Sequence, residues 1–307
     1  MVELDSRSEV FKMKINEAWE ASRELIEKGK ENKLSQKEVA KVLARTLFLT
    51  KLGQIRDYEQ IAKEGPFKYE GNLERMRNEK LIPEDVYEIL KNRIKKDPRM
   101  VGPLDLKIEN LLTFLHVKNF YAKQLCFHIL DYLNISYDEK CLILRIAPGG
   151  MDLGGEILEQ LKNTSNKYNF WSFSPYIRNT RKPVGSSSFE DSSEYVGPPL
   201  PPSNKVFLID DVINYAENIF DSIKILRNFG YDDVEIIPTC ILDYENPIGK
   251  KRLEKLGIVN TLYLSTAKDL IEAANDLWLI TESQYKTAKS FLEDPFEFCL
   301  EIAPYIK

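Results

Sequence analysis

The stretch Lys205 to Gly230, KVFLIDDVINYAENIFDSIKILRNFG, constrains this chain more than any other. Val206, Phe207, Leu208 and Ile209 make a short apolar run, the pattern of a strand buried on both faces of a parallel sheet. The run ends on Asp210 and Asp211, and a loop over Ile213 to Asn218 follows. Ile219, Ile223, Leu226 and Phe229 then recur at helical spacing, and Gly230 stops the helix. Strand, acids, loop and helix start together outline a place for phosphate and sugar. N–H groups at a helix start favour an anion, and carboxylates accept hydrogen bonds from ribose hydroxyls. Buried parallel strands also end this way with no ligand, so the pattern alone leaves both readings open.

The chain has 307 residues, room for one large domain or two ordinary ones. Hydrophobic residues make up 43% and charged residues 30%, the balance of a soluble globular protein. No run approaches the roughly 18 apolar residues of a membrane helix, and the acidic, mixed start lacks a signal peptide; a cytoplasmic location is expected. A net charge of −5 excludes a domain-wide basic field for nucleic acid. Lys91 to Lys96 is a local basic cluster that suits a solvated last helical turn. Cys126, Cys141, Cys240 and Cys299 are scattered without a C-x-x-C pair and read as buried free thiols. His116 and His128, the only histidines, lack the spacing of a metal pair.

Residues 1–135 read as an all-helical region. Phe11, Ile15, Trp19, Leu25 and Ile26 form an apolar stripe. Ser35 and Glu38 make a capping box before Val39, Val42, Leu43 and Leu47. Pro83-Glu84-Asp85 opens a helix carrying Val86, Ile89, Leu90 and Ile94. The segment Leu111 to Leu133 is expected to pack on a sheet. KLSQKEVAKVL, Lys33 to Leu43, resembles the start of a helix-turn-helix, but the sequence continues to Gly53 without a turn residue, so a plain helical hairpin is expected.

From 136 to 275 strands alternate with helices, an α/β domain with a parallel sheet. Leu142, Ile143, Leu144 and Ile146 form its first strand, and Ala147-Pro148-Gly149-Gly150 the turn after it. Two glycines let backbone N–H groups approach an anion, and they equally suit an empty tight turn. Phe170, Trp171, Phe173 and Tyr176 belong to the next strand. Arg178, Arg181 and Lys182 follow, beside Gly185 to Ser188 and the acidic Glu190 to Glu194. This stretch reads either as a lid over a polyanion or as a surface loop. Val234 to Ile237 and Cys240 to Leu242 form a strand ending at Asp243, Lys250 to Leu253 begin a helix, and Leu262 to Leu264 close the sheet. Residues 276–307 are expected to be helices packing on the α/β domain.

Several ordered blocks carry a resemblance to type I phosphoribosyltransferases, nearest their orotate branch. VFLIDDVI resembles the strand and paired acids that bind phosphoribosyl pyrophosphate. CLILRIAPGGMDLGGEILEQL, Cys141 to Leu161, resembles the strand, pyrophosphate loop and helix, and YIRNTRKPVG, Tyr176 to Gly185, the mobile catalytic loop. The likeness continues through ILDYENPIGKKRLEKLGIVNTLYLSTAKDLIEA and covers about 137–274. It implies a parallel-sheet fold, a ribose-phosphate or nucleotide ligand, magnesium, a homodimer and pentosyl transfer. By the same resemblance Asp210 and Asp211 hold ribose hydroxyls, Ala147, Pro148, Gly149 and Gly150 hold pyrophosphate with magnesium, and Arg178 and Lys182 close over its charge.

Where the family has small and hydroxylated residues around the 5-phosphate, this chain has Asn214, Tyr215, Ala216, Glu217 and Asn218, a degenerate version of that loop. Glu217 brings a carboxylate to the phosphate's place, a repulsion of about 1 kcal/mol in water and about 4 at a partly buried site, and Asn214 and Tyr215 add bulk. Tyr244, Val184 and Asn179 replace basic residues or histidine of the orotate branch, so orotate itself is not the expected base. Two functions follow: a divergent transferase or glycosidic-bond-cleaving enzyme, or a non-catalytic sensor of a nucleotide or sugar phosphate. Such domains joined to helical regions also occur in conflict systems, which leaves a defence role open to the sensor.

Overall fold

A computed structural model describes residues 13–14, 16–93, 99–133, 140–164, 169–171, 174–180 and 192–302. They form two compact units. One gathers Leu34–Leu111 with the chain up to Lys28 and from Ser265 onward, the other Gly29–Lys33 with Leu112–Leu264. The breaks thus fall near 111 and 265, away from the boundaries expected at 135 and 275. Phe11, Ile15, Ile94 and Phe173 lie outside the described residues, as do Arg181, Lys182 and the Gly/Ser stretch after them.

In the first unit, Gln36–Leu49 is one unbroken helix with Val39, Val42, Leu43 and Leu47 fully buried, so no second helix turns off at the helix-turn-helix position. Its capping box is formed: Glu38 N–H donates to Ser35 Oγ at 3.3 Å, and Ser35 N–H to Glu38 Oε2 at 2.9 Å. Besides helices, this region holds two short antiparallel ribbons, Gly53–Ile55 with Leu104–Leu106 and Phe67–Asn72 with Arg99–Gly102. They are too short to show alternation in the sequence. In Glu84–Arg93 the buried residues are Tyr87 and Leu90, while Ile89 stays exposed. Residues 276–307, expected to pack on the α/β domain, cluster instead with this unit. Ala267–Asp276 buries Leu270, Ile271 and Ala274 and lies along Gln36–Leu49. Phe291 and Phe298, on Glu282–Glu293 and Pro295–Ile302, meet edge-on at 5.5 Å.

The second unit is the α/β domain. It runs α1 (Leu115–Leu133), β1 (Lys140–Ala147), α2 (Gly149–Thr164), β2 (Asn169–Phe170), β3 (Tyr176–Thr180), β4 (Ser192–Val196), β5 (Lys205–Ile209), β6 (Val212–Ile213), α3 (Glu217–Asn228), β7 (Glu235–Asp243), α4 (Pro247–Glu254) and β8 (Leu262–Thr266). Among the described residues these strands form one sheet in the order β6-β7-β5-β1-β3-β4, with β8 on β7 and β2 on β1. Every registered pair is parallel except β3 with β4. α1 packs on α2 and β7, as the apolar run Leu111 to Leu133 led one to expect.

The run Val206 to Ile209 lies at the centre, between β1 and β7, with each side chain fully buried. One face meets Leu142, Leu144, Ile219, Ile223 and Leu226 in a single cluster. Burying four such side chains contributes roughly 1.5–3 kcal/mol each, which fixes the strand that carries the acids. No helix among the described residues is long and apolar enough to cross a membrane. All four cysteines are buried free thiols, with burial pushing Cys126 up to about 12. His128 is pushed down to about 4 by burial, in keeping with a packed histidine.

Candidate functional site

The site is built at the carboxyl ends of β1 and β5, where parallel sheets present ligand sites. After Ile209 the ladder continues for one bond, Asp210 N–H to Thr239 O at 3.0 Å. The next carbonyl, that of Asp211, accepts from both Ile241 N–H at 3.1 Å and Leu242 N–H at 3.3 Å, and β6 then resumes pairing with β7. Asp210 is buried and its Oδ1 accepts from Asp211 N–H at 3.0 Å, while Asp211 is half-buried.

The glycine turn is pressed against these acids. A Cβ added to Gly149 would lie 2.1 Å from Asp211 Oδ1, and one added to Gly150 would lie 2.0 Å from Ile209 O. A side chain at Gly150 would meet backbone that cannot give way, and one at Gly149 would push the Asp211 carboxylate aside, so the glycines serve close approach to the strand tip. The Ala147–Pro148 peptide before them is cis. Arg145, half-buried on β1, steadies the turn from below: Nη1 donates to Met151 O at 3.2 Å and Nη2 to Ser174 O. Burial draws its pKa down.

Arg178 lies on β3, its backbone in register with Ala147 on one side and Glu194 on the other. Its strand therefore runs beside the glycine turn, whereas the sequence suggested a loop. Lys182 lies outside the described residues.

The Asn214–Asn218 loop is tied to β7 and α4. Ile213 O accepts from Tyr244 N–H at 2.8 Å, and Asn214 Oδ1 from Asn246 Nδ2 at 3.0 Å. Tyr215 O accepts from Arg252 Nη1, and Arg252 Nη2 lies 3.4 Å from Glu217 Oε1. Of the two residues expected to add bulk at the anion's place, Tyr215 is buried and Asn214 is half-buried. Ala216 adopts a left-handed conformation, φ 54°, and gives α3 no side-chain cap.

Asp243 ends β7, its carboxyl pushed up to about 6 by burial, against which hydrogen bonds from Glu245 N–H at 2.7 Å and the Thr261 hydroxyl at 3.4 Å act. Cys240 is fully buried near the acids; burial first, then the charges of Asp243, Asp210 and Asp211, drives its thiol well above the usual range. The structure thus brings Asp210, Asp211, Gly149 and Gly150 together and sets the Asn214–Asn218 loop at the next strand tip.

Sequence reasoning passed over Arg145, Asn246, Gly249 and Arg252. Arg252 left a signal: it falls four residues after Ile248 and one before Leu253, on the apolar face of α4. A cation in that position requires buried partners.

No protein-family model matches the chain, and no curated protein matches it. Solved structures similar to it include UMP synthase from Leishmania donovani, at 16% identity over 72% of this chain and 44% of that one, with a TM-score of 0.45. The chain thus spans less than half the length of that protein. Others are orotate phosphoribosyltransferase from Aeropyrum pernix, at 18% identity over 62% of this chain and 97% of that one, TM-score 0.42, and adenine phosphoribosyltransferase from Trypanosoma brucei, at 17% identity over 62% and 84%, TM-score 0.41.

Proposed function

We propose that the α/β unit binds a ribose phosphate or nucleotide at the tips of β1 and β5, as a divergent protein of the phosphoribosyltransferase type. The observation that carries this reading is the contact between the Asp211 carboxylate and the Gly149 backbone. It joins a group that accepts hydrogen bonds from sugar hydroxyls to a turn whose backbone N–H groups an anion can approach. The reaction it suits is displacement of pyrophosphate from the anomeric carbon. Such transfer needs phosphates held, leaving-group charge stabilised and water excluded, with little acid–base machinery.

In this scheme Asp210 and Asp211 orient the ribose, and Ala147 to Gly150 lie along the pyrophosphate. Arg178 and Lys182 are the candidates to neutralise the leaving group. Among the described residues no group of three or more carboxylate, histidine or cysteine side chains forms a metal cage. Magnesium is commonly held by one or two carboxylates together with substrate phosphates. Asp210 and Asp211 would be those carboxylates, and the ion would supply charge for the pyrophosphate.

Calorimetry with phosphoribosyl pyrophosphate and magnesium, followed by a nucleotide panel, tests the proposal. Binding of the pyrophosphate sugar is expected, with a loss of about tenfold or more in Asp211→Asn, the scale of a hydrogen bond to a charged group. Binding that is indifferent to Asp211→Asn would sink the proposal. Binding of a nucleotide that is never turned over would favour the sensing role over transfer.

A further inference from the structure

We infer that Arg252 is a positioning residue for this site, holding the Glu217 carboxylate on the Tyr215 carbonyl side of the Asn214–Asn218 loop, opposite the Ala216 N–H. The inference rests on the proposed ribose-phosphate site, with the 5-phosphate at the Asn214–Asn218 loop as the resemblance to phosphoribosyltransferases implies.

Glu217 is the first residue of α3, where its carboxylate could swing towards an anion at the helix start. In the structure it does not. Arg252 is completely buried, and among its partners are Tyr215 O and the Glu217 carboxylate. A trans peptide points its N–H opposite to its C=O. With Tyr215 O facing Arg252, the N–H of Ala216 faces the other way. Glu217, bound to the same guanidinium, is therefore on the far side of the loop from that N–H, and its charge is neutralised there.

α4 is shaped for this task. A Cβ on Gly249 would lie 2.4 Å from Asn214 O, so the absence of a side chain lets α4 approach the loop closely enough for Arg252 to reach. Asn246 adds the bond to Asn214 at 3.0 Å while capping α4 through Ile248 N–H, also at 3.0 Å. Buried cations are costly unless paired, and the Glu217 carboxylate is an opposite charge within 4 Å of this fully buried arginine. The acid that sets this loop apart is thus matched by a base thirty-five residues later.

The test is calorimetry of the full-length chain with ribose 5-phosphate, using Arg252→Met, Glu217→Gln, the double variant and Asp211→Asn, with folding checked by circular dichroism. Arg252→Met is expected to weaken binding by about tenfold or more, because the released carboxylate repels the phosphate. Adding Glu217→Gln should restore affinity to within about threefold of the parent, a rescue that a purely structural arginine would not allow. Glu217→Gln alone should bind at least as well as the parent, and this reading survives even if Arg252→Met does not fold. Unchanged affinity in Arg252→Met, no rescue in the double variant, or weaker binding in Glu217→Gln overturns the inference. If those results come with binding that Asp211→Asn abolishes, the ribose site stands and only the role of Arg252 fails. If the parent does not bind ribose 5-phosphate, or Asp211→Asn binds unchanged, the ribose site fails and the inference with it.

Discussion

Asp243 shows how one residue records its surroundings. An aspartate in an unfolded chain titrates near ~3.9, and burial raises this one to about 6 in the folded protein. Between those values the folded state holds a proton that the unfolded state has released. Stability from this group is therefore complete below the unfolded value, falls as pH rises through the window, and stays reduced above about 6. Asp243→Asn keeps the shape and removes the charge. It is expected to stabilise the fold by about 1–3 kcal/mol at pH 8 and by little near pH 4, as urea unfolding at the two pH values would measure. An equal gain at both would mean the charge is not the cause. The residue is visible in the sequence as the end of a strand, but its burial is not; of its two hydrogen-bond partners Glu245 is local, whereas Thr261 is brought by the fold from eighteen residues later. The same holds for Glu217, whose charge the sequence shows and whose partner Arg252 it does not.

At the scale of elements, legibility followed the range of the interactions. The helix Gln36–Leu49 was readable because its start is written in four consecutive residues, Ser35 to Glu38. Lys28 adds to this box at 2.6 Å, and its hydrogen bond is the foremost cause holding the Glu38 carboxyl down at about 2. Ser35→Ala removes the acceptor for Glu38 N–H and is expected to cost about 1 kcal/mol, read as a lower urea midpoint with an unchanged slope. Glu38 supports the fold only while charged, so that support is present above the ordinary glutamate range and fades as pH falls towards about 2. In Glu84–Arg93 the start was legible and the buried face only in part. Periodicity favoured Ile89 with Leu90; Leu90 is fully buried, but Tyr87 takes the place expected of Ile89, because its hydroxyl donates to Glu74 and its ring takes the Arg77 guanidinium at 4.6 Å. An amphipathic ring with polar partners outcompetes an aliphatic side chain there, a contest that spacing cannot reveal.

For the whole molecule, the β5 strand, its acids and the glycine turn were readable because a strand buried on both faces must be apolar and its tip must be polar. The position of the unit boundaries was not, since which unit a helix such as Leu115–Leu133 or Ala267–Asp276 joins is settled only by what it packs against. The paired acids also set the last expectation. With a net charge of −5 and carboxylates at the proposed site, the chain offers a polyanionic sugar little attraction over distance. Magnesium should therefore be needed for binding, and not merely improve it. Phosphoribosyl pyrophosphate at about a hundred times its dissociation constant should stabilise the fold by about 2.7 kcal/mol, seen as a rise in unfolding temperature of a few degrees. Chelating the magnesium before adding the sugar should abolish most of that rise, while chelation without the sugar should leave the unfolding temperature where it was. A full rise in the chelated sample would show that side chains alone hold the phosphates, and Asp210 and Asp211 would then lose their place as metal-facing groups.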